Sequence, residues 1–330
     1  MRYAALVAIA MVAACRSTAI GSGGPPPPPP PPGPAPALHV QGNQLVDSAG
    51  HVVRLKGVNR SGTEYACAQG WGFFDGPSDS ASVAAIASWK ANVVRVPLNE
   101  TCWLAINGVS PAYSGAAYAR AISDFVGRLN RAGLVVILEL HWSAAGTAIA
   151  LGQAPMPNRD HTPKFWREVA AAYSGNNAVI FDLFNEPFPD SNSNTAEAWR
   201  CWRDGGTCSG MSFQAAGMQE LVDSVRSAGA TNVIMVGGTK ACWDSTAAPV
   251  ALQVPLVLGE PGARRPRQRV RDLVDGLDGC APGELSRLGV GRVGQSARPD
   301  HELRWNADDL RADVQDPVFE LTLGGSRDLE

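Results

Sequence analysis

Short apolar runs alternate with longer amphipathic stretches from about residue 50 onward. Six runs have the length and composition of buried strands: Val52–Val58, Asn92–Pro97, Leu134–Leu140, Ala178–Phe184, Thr231–Val236 and Val254–Leu258. Several of these runs are apolar nearly throughout. Such continuous apolarity is typical of strands that are covered on both faces of a parallel sheet.

Helical patterns separate these strands. Apolar positions at helical spacing occur in Ser82–Ala91, Ala117–Ala132, Pro163–Ala172 and Ala215–Ala228. The strand–helix–strand repeat predicts right-handed crossovers and an α/β fold with a parallel sheet. Polar residues follow several different strands, and no Gly-rich phosphate loop follows the first one. We therefore favour a (β/α)₈ TIM barrel over a doubly wound sheet.

The first 37 residues read as an export signal and a linker. Arg2 precedes the apolar stretch Ala4–Ala14, which is too short to span a bilayer as a helix. The following Cys15 fits a lipid-anchored lipoprotein, and an ordinary signal peptide fits equally well. Within residues 16–37, the run Pro25–Pro32 predicts an extended spacer of about 25 Å. The folded domain should begin near Leu38.

Composition and charge narrow the functional classes. The chain has 330 residues and is 45% hydrophobic, which suits one large domain. A net charge of −3 gives no electrostatic case for nucleic acid or an anionic membrane as partner. Nothing in the sequence calls for a metal or cofactor, and we expect a monomer.

Cysteine usage agrees with export. Leaving Cys15 aside, six cysteines remain, and none has the spacing of metal ligands. Disulfides are the better interpretation, and they indicate an oxidising compartment. Cys201 and Cys208 can close a Gly-rich loop, while Cys67 and Cys102 can join the loops after the first two strands.

Candidate catalytic residues lie near the carboxyl ends of four of the strands: Arg95, His141 with its neighbour Trp142, Asn185-Glu186, and Glu260. Cleavage of a glycosidic bond needs one protonated and one ionised carboxyl group, held about 5–5.5 Å apart in retaining enzymes. Glu186 and Glu260 can supply this pair, since unequal environments give unequal proton affinities. Each residue alone also has a structural explanation, as a helix cap, an ion-pair partner or a core residue. Four suitable types at four strand ends favour catalysis.

The order of motifs resembles a known family. Leu55–Gly62, Asn92–Leu98, Asn185-Glu186-Pro187 and Leu256–Glu260 are similar to glycoside hydrolase family 5, the cellulase family, and Cys67–Asp79 resembles its secreted bacterial branch. The resemblance implies a retaining (β/α)₈ hydrolase acting on β-1,4-glucan.

It also implies residue roles. Glu186 matches the acid/base at the fourth strand and Glu260 matches the nucleophile at the seventh. Arg95, His141 and Asn185 match supporting polar residues, so that Arg95 would keep the nucleophile ionised and Asn185 would bind the sugar 2-hydroxyl. Mannan or xylan remains an alternative substrate.

The spacing of strands departs from that family. Successive strand starts lie about 40, 42, 44 and 53 residues apart, but the last step, to residue 254, is only about 23. A βα unit needs roughly 31 residues. The His and Tyr of the family's sixth strand have no match, and Lys240-Ala241-Cys242-Trp243 looks like a join across a missing segment.

The tail departs as well. Residues 261–330 contain eleven Arg and no Lys, with few apolar runs, and the eighth strand is not recognisable. We favour an internal deletion with a changed reading frame over a divergent tail. We therefore assign the barrel domain to residues 38–260 and expect an incomplete barrel with five βα units, Val254–Leu258 beside them and weak activity. A non-catalytic glucan-binding or misfolded remnant is the alternative from another class.

Overall fold

Five parallel strands form the centre of the fold. The structure, a computed structural model, describes residues 33–42 and 44–240 and the short strands 256–258, 293–294 and 319–321. In spatial order the parallel strands are β3 (Leu55–Asn59), β4 (Val93–Asn99), β5 (Val135–Trp142), β6 (Val179–Asp182) and β9 (Ile234–Val236). This arrangement confirms the predicted α/β class and the first five strands of a (β/α)₈ barrel.

Antiparallel strands extend both edges of this sheet. β10 (Leu256–Leu258) pairs with β9, and β12 (Phe319–Leu321) pairs with β3 and with β11 (Val293–Gly294). Among the described residues these strands form one open eight-stranded sheet, and the incomplete barrel stays a prediction. The strand expected at Val254–Leu258 is present, but its direction differs from that of a barrel strand. An antiparallel neighbour can follow a short connection, whereas a parallel one needs a crossover.

The helices lie between the strands and after their carboxyl ends. Their bounds are α1 (Ser80–Ser88), α2 (Glu100–Leu104), α3 (Ala116–Arg131), α4 (Thr162–Tyr173), the irregular turn α5 (Pro189–Asn192), α6 (Ala196–Asp204) and α7 (Met218–Ser227). Side-chain caps start several of them: Asp79 accepts a hydrogen bond from the Ser82 N–H, and Thr195 accepts one from the Ala198 N–H. None of the helices in the described ranges has the length and apolarity of a membrane span.

Several predicted boundaries differ from the observed ones by two or three residues, and two of these differences have a clear structural cause. The helix predicted at Ala215–Ala228 begins at Met218, because β8 (Gln214–Ala216) forms a hairpin with β7 (Gly205–Thr207). The first barrel strand begins at Leu55 rather than Val52, because Val52 bridges to the preceding hairpin. That hairpin consists of β1 (Leu38–Gln41) and β2 (Gln44–Asp47).

Alternation along the strands separates two cores. One set of side chains packs against the helices, including Val94, Val96, Val136, Leu138, Val179 and Phe181. The other set packs with the β1–β2 hairpin inside the sheet's curve: Leu38, Leu45, Leu55, Val93, Val135, Ile137, Ile180, Val233 and Met235. Since side chains alternate between faces, Arg95, Glu139 and Asp182 lie on this inner face, one step further along their strands.

Both predicted disulfides are present. Cys67, after β3, is bonded to Cys102 in α2. Cys201 is bonded to Cys208 across the end of α6. The first bond joins the segments that follow two neighbouring strands, and the second closes a local loop, as the cysteine spacing predicted.

Candidate active site

Charged side chains fill the inner face near the carboxyl ends of β4, β5 and β6. We call Arg95, Glu139, His141 and Asp182 the inner charged layer. Arg95 donates to Asp182 Oδ2 from Nε (3.2 Å) and Nη2 (3.1 Å), and Nη2 lies 3.3 Å from Glu139 Oε1. His141 Nδ1 lies 2.9 Å from Glu139 Oε2. Glu139 thus bridges a guanidinium and an imidazole.

Burial removes the charged groups of this layer from water, so they depend on one another for stabilisation. The Glu139 side chain is fully buried, and no hydrogen bond reaches its Oε1, so that atom depends on the nearby guanidinium. Burial alone lowers the pKa of His141, but the Glu139 and Glu64 carboxylates outweigh this effect and raise it above its ordinary value. Burial raises the pKa of Asp182 against the attraction of Arg95. Two buried carboxyl groups therefore face one guanidinium and one imidazole.

Arg95 also orients Asn185. Its Nη2 lies 3.1 Å from Asn185 Oδ1. A guanidinium can only donate hydrogen bonds, so this contact fixes which end of the amide faces inward. The Asn185 Nδ2 group is left to face the other way. The preceding strand end is anchored as well, because Trp166 Nε1 donates to the Leu183 carbonyl at 3.0 Å.

Glu186 occupies an unusual backbone conformation. Its φ is 42°, in the left-handed region, and it precedes Pro187, a position that normally favours extended backbone. For a non-glycine residue this conformation costs about 1–2 kcal/mol. The Glu186 side chain is 35% exposed, and its Oε2 lies 3.9 Å from Lys240 Nζ. A candidate catalytic carboxyl is thus presented to solvent from a constrained backbone.

Aromatic side chains lie beside the layer. The Tyr65 ring lies 6.1 Å from the Trp142 ring and 6.0 Å from the Trp71 ring, and Trp71 is 48% exposed. The Tyr65 hydroxyl donates to Asp75, whose other oxygen accepts from Arg60 at 2.6 Å. Burial and this carboxylate raise the pKa of Tyr65. The cluster offers flat aromatic surface at the end of β5, where Trp142 directly follows His141.

The structure brings most of the predicted site residues together. Arg95, His141 and Asn185-Glu186 meet at the carboxyl ends of β4, β5 and β6, and Trp142 ends β5. Glu260 lies outside the described residues. The β10 strand before it pairs antiparallel with β9, with Leu258 opposite Ile234, whereas the expected barrel has a parallel strand here. The role of Glu260 stays a prediction.

Sequence reasoning missed several members of the site. Glu139 and Asp182 carried a usable signal, because a charged residue inside an otherwise apolar strand is rarely buried without a partner. The contact of Lys240 with Glu186 gave no signal, since it depends on the fold around β9. The same is true of Gln153, which donates to the Asn185 and Glu186 carbonyls.

Comparison with known protein families identifies this arrangement. The model of the cellulase family, glycosyl hydrolase family 5, matches residues 46–269. The chain belongs to this family. The matched range includes all five parallel strands of the family 5 domain and extends past Glu260.

Individual relatives are distant from this family 5 chain. It is 26% identical over 208 residues to the manganese dependent endoglucanase Eg5A of Phanerodontia chrysosporium, covering 61% of this chain and 47% of that protein. It is 25% identical over 150 residues to endoglucanase MaCel5A of Microbulbifer sp. (strain ALW1), covering 46% and 26%. The chain thus spans about a quarter to a half of these relatives. In the described ranges, no three His, Cys, Asp or Glu residues are grouped to hold a metal ion.

Solved structures with a similar backbone include an endogalactoceramidase, at a TM-score of 0.46 and 19% identity, covering 63% of this chain and 54% of that one. XacCel5A in complex with cellopentaose has a TM-score of 0.42 and 25% identity, covering 58% and 57%.

Proposed function

We propose that this family 5 chain is a retaining glycoside hydrolase that cleaves β-1,4-glucan, with Glu186 as its acid/base. The observation that carries the proposal is the placement of Glu186. A carboxyl group is presented, partly exposed, at the carboxyl end of β6, next to an asparagine that Arg95 holds in one orientation. In TIM barrels, catalytic residues lie at this end of the strands.

The proposed mechanism has two displacements. In the first, Glu186 donates its proton to the glycosidic oxygen while the Glu260 carboxylate attacks the anomeric carbon and the leaving sugar departs. In the second, Glu186 takes a proton from water, and that water releases the sugar from Glu260. The role of Glu260 rests on the sequence resemblance.

Supporting residues fit the same scheme. Because Asn185 Oδ1 accepts from Arg95, its Nδ2 can donate to a sugar hydroxyl. The Glu139 carboxylate accepts from His141 Nδ1, so Nε2 is the ring nitrogen that can contact a substrate. Arg95 acts through Asn185 and through the inner charged layer, and we retain the prediction that its charge also favours an ionised nucleophile.

The proposed substrate is a β-1,4-glucan chain, with mannan and xylan as alternatives within the family. The aromatic faces of Tyr65, Trp71 and Trp142 support a sugar polymer, because pyranose rings present flat C–H faces to aromatic rings. The endoglucanase names of the distant relatives support glucan among these polymers.

The test is hydrolysis of soluble cellulose by the wild type and by Glu186→Gln and Glu260→Gln variants. We expect kcat of each variant to fall by at least roughly 10²–10⁴-fold, which is the usual contribution of a positioned proton donor. Mannan and xylan are assayed in parallel, and preferential cleavage of either would replace glucan as the substrate. Near-wild-type turnover by either variant would refute the assignment of that residue.

We also propose export, with residues 1–15 as the signal, 16–37 as the linker, 38–260 as the catalytic domain and 261–330 as an Arg-rich tail read in a changed frame. Two disulfides in the described part of the chain support an oxidising destination. Mass spectrometry of protein secreted by a bacterial host should show a new N-terminus near Cys15, with added lipid if Cys15 is an anchor. Intact Met1 in the cytoplasm would contradict export.

A further inference from the structure

The segment Asn185-Glu186-Pro187 is held through its backbone carbonyl groups. Gln153 Nε2 donates to the Asn185 carbonyl at 2.7 Å and to the Glu186 carbonyl at 2.9 Å. The Lys240 N–H donates to the Pro187 carbonyl at 2.6 Å. Three successive carbonyl groups therefore accept hydrogen bonds from outside the segment, and one side chain supplies two of them.

The two bonds from Gln153 bracket Glu186. The Asn185 carbonyl belongs to the peptide unit before the Glu186 Cα, and the Glu186 carbonyl belongs to the unit after it. Fixing both units constrains φ and ψ of Glu186 together. Its φ of 42° lies in the left-handed region, which a residue before proline seldom adopts. A primary amide, with two N–H donors, is well suited to this task.

Gln153 is itself held in place. It lies in the segment between β5 and α4, which is bonded to the last residue of β4. Asn99 Nδ2 donates to the Ala150 carbonyl at 2.8 Å. The Phe188 N–H donates to the Pro155 carbonyl at 2.9 Å. The segment is thus fixed on both sides of Gln153 in sequence.

A buried carboxyl group fixes the same segment. Glu100, at the start of α2, is fully buried and accepts from Asn158 Nδ2 at 2.7 Å, from the Ala144 N–H at 3.3 Å and from the Thr162 hydroxyl. These contacts join α2 to both ends of the segment. Gln153 therefore reaches the Glu186 backbone from a loop that hydrogen bonds hold in place.

We propose that Gln153 is a positioning residue that sets the direction of the Glu186 carboxyl group by fixing its backbone. The inference rests on the proposed role of Glu186 as acid/base. Gln153 acts on two carbonyl groups, so its effect on the reaction passes through the geometry of Glu186. Small misplacements of a catalytic group are costly, and an error of 1 Å can cost about a hundredfold in rate.

The kinetic test compares Gln153→Leu and Gln153→Glu with the wild type on soluble cellulose. We expect Gln153→Leu to lower kcat about ten- to hundredfold with KM changed less than about twofold. In Gln153→Glu, an ionised carboxylate would face two carbonyl groups, whereas the protonated form can donate to one. Its kcat relative to wild type should rise as pH falls, and the same ratio for Gln153→Leu should stay flat.

The matched control is Gln214→Leu. Gln214 is an exposed glutamine on β8 whose Nε2 donates to Thr207 Oγ1, away from the site. This variant should keep wild-type kcat, and thermal unfolding of all variants checks folding. Wild-type kcat in both Gln153 variants would overturn the proposal.

A second measurement separates this proposal from the proposed function. Crystal structures of the wild type and of Gln153→Leu should show Glu186 leaving the left-handed region only in the variant. An unchanged Glu186 backbone would overturn the positioning role even in an inactive protein. A wild type that hydrolyses no glycan while Glu186 shifts in the variant would refute the proposed function alone.

Discussion

The inner charged layer and the pair Glu186–Lys240, which we call the exposed pair, both join carboxyl groups to cationic side chains, but they differ in burial. In the layer, Glu139 is fully buried and lies 2.9 Å from His141 and 3.3 Å from Arg95. In the exposed pair, Glu186 and Lys240 are 35% and 40% exposed and lie 3.9 Å apart. The layer makes close, desolvated contacts that fix geometry, whereas the exposed carboxyl stays accessible to a substrate. The difference indicates that the buried layer holds the geometry of the site, while the partly exposed Glu186 is the group available for reaction.

The largest stability difference should come from breaking the layer. Arg95→Met would leave the buried Glu139 and Asp182 carboxyl groups without their shared cation, which should lower the free energy of unfolding by about 3–5 kcal/mol. Glu186→Gln, at a partly exposed position, should change it by less than about 0.5 kcal/mol. Urea denaturation of both variants provides the comparison. Equal losses of unfolding free energy in the two variants would show that the buried layer contributes no more to stability than the exposed Glu186.

A pH-dependent difference should come from Glu100. Burial raises its pKa to about 7 from an ordinary value of 4.5. The folded state therefore holds this proton more tightly than the unfolded state, so stability is greatest below about pH 4.5 and falls as pH rises toward 7. Glu100→Gln keeps the acceptor for Asn158 and removes the titration.

The Tm of Glu100→Gln, measured against wild type from pH 4.5 to pH 8, should rise relative to wild type across this window. Asp182 titrates in both proteins and cancels from the comparison. A Tm difference that stays constant with pH would show that Glu100 does not titrate there.

The smallest effect should come from the exposed pair. Lys240→Met removes a contact of 3.9 Å between two partly exposed groups. Such pairs contribute at most about 1 kcal/mol and are screened by salt. The unfolding free energy should therefore change by less than about 1 kcal/mol, and by less still in 0.5 M salt. A loss as large as that of Arg95→Met would place Lys240 in the structural network.

The sequence was sufficient to predict features that depend on local pattern. Continuous apolarity identified β4, β5 and β6, and the cysteine positions offered, without fixing the connectivity, the two pairings that the structure contains. Ala215-Ala216 was assigned to a helix because apolar residues do not reveal pairing with Gly205–Thr207. The direction of β10 and the left-handed φ of Glu186 depend on the folded surroundings.

The site residues also divide into those that the sequence predicts and those that depend on the folded structure. Arg95 and His141 lie within β4 and β5, and Asn185 and Glu186 follow β6, so a pattern of apolar runs locates all four. Gln153 reaches the site from a loop, and its position is set by tertiary bonds that leave no periodic signal. Glu139 and Asp182 lie on the same face of the sheet as Arg95, because side chains alternate along each strand. Charged residues on that shared face would have indicated the inner layer.

The most direct test of the central claim, a double displacement by two glutamates, is to trap its covalent intermediate. A 2-deoxy-2-fluoro cellobioside with a good leaving group should glycosylate the enzyme and release the sugar slowly, because fluorine destabilises the transition states of both steps. Peptide mass mapping should place one 2-deoxy-2-fluorocellobiosyl group on Glu260, and Glu260→Gln should stay unlabelled. A label on another residue, or wild-type hydrolysis of cellulose with inversion at the anomeric carbon, would contradict the account.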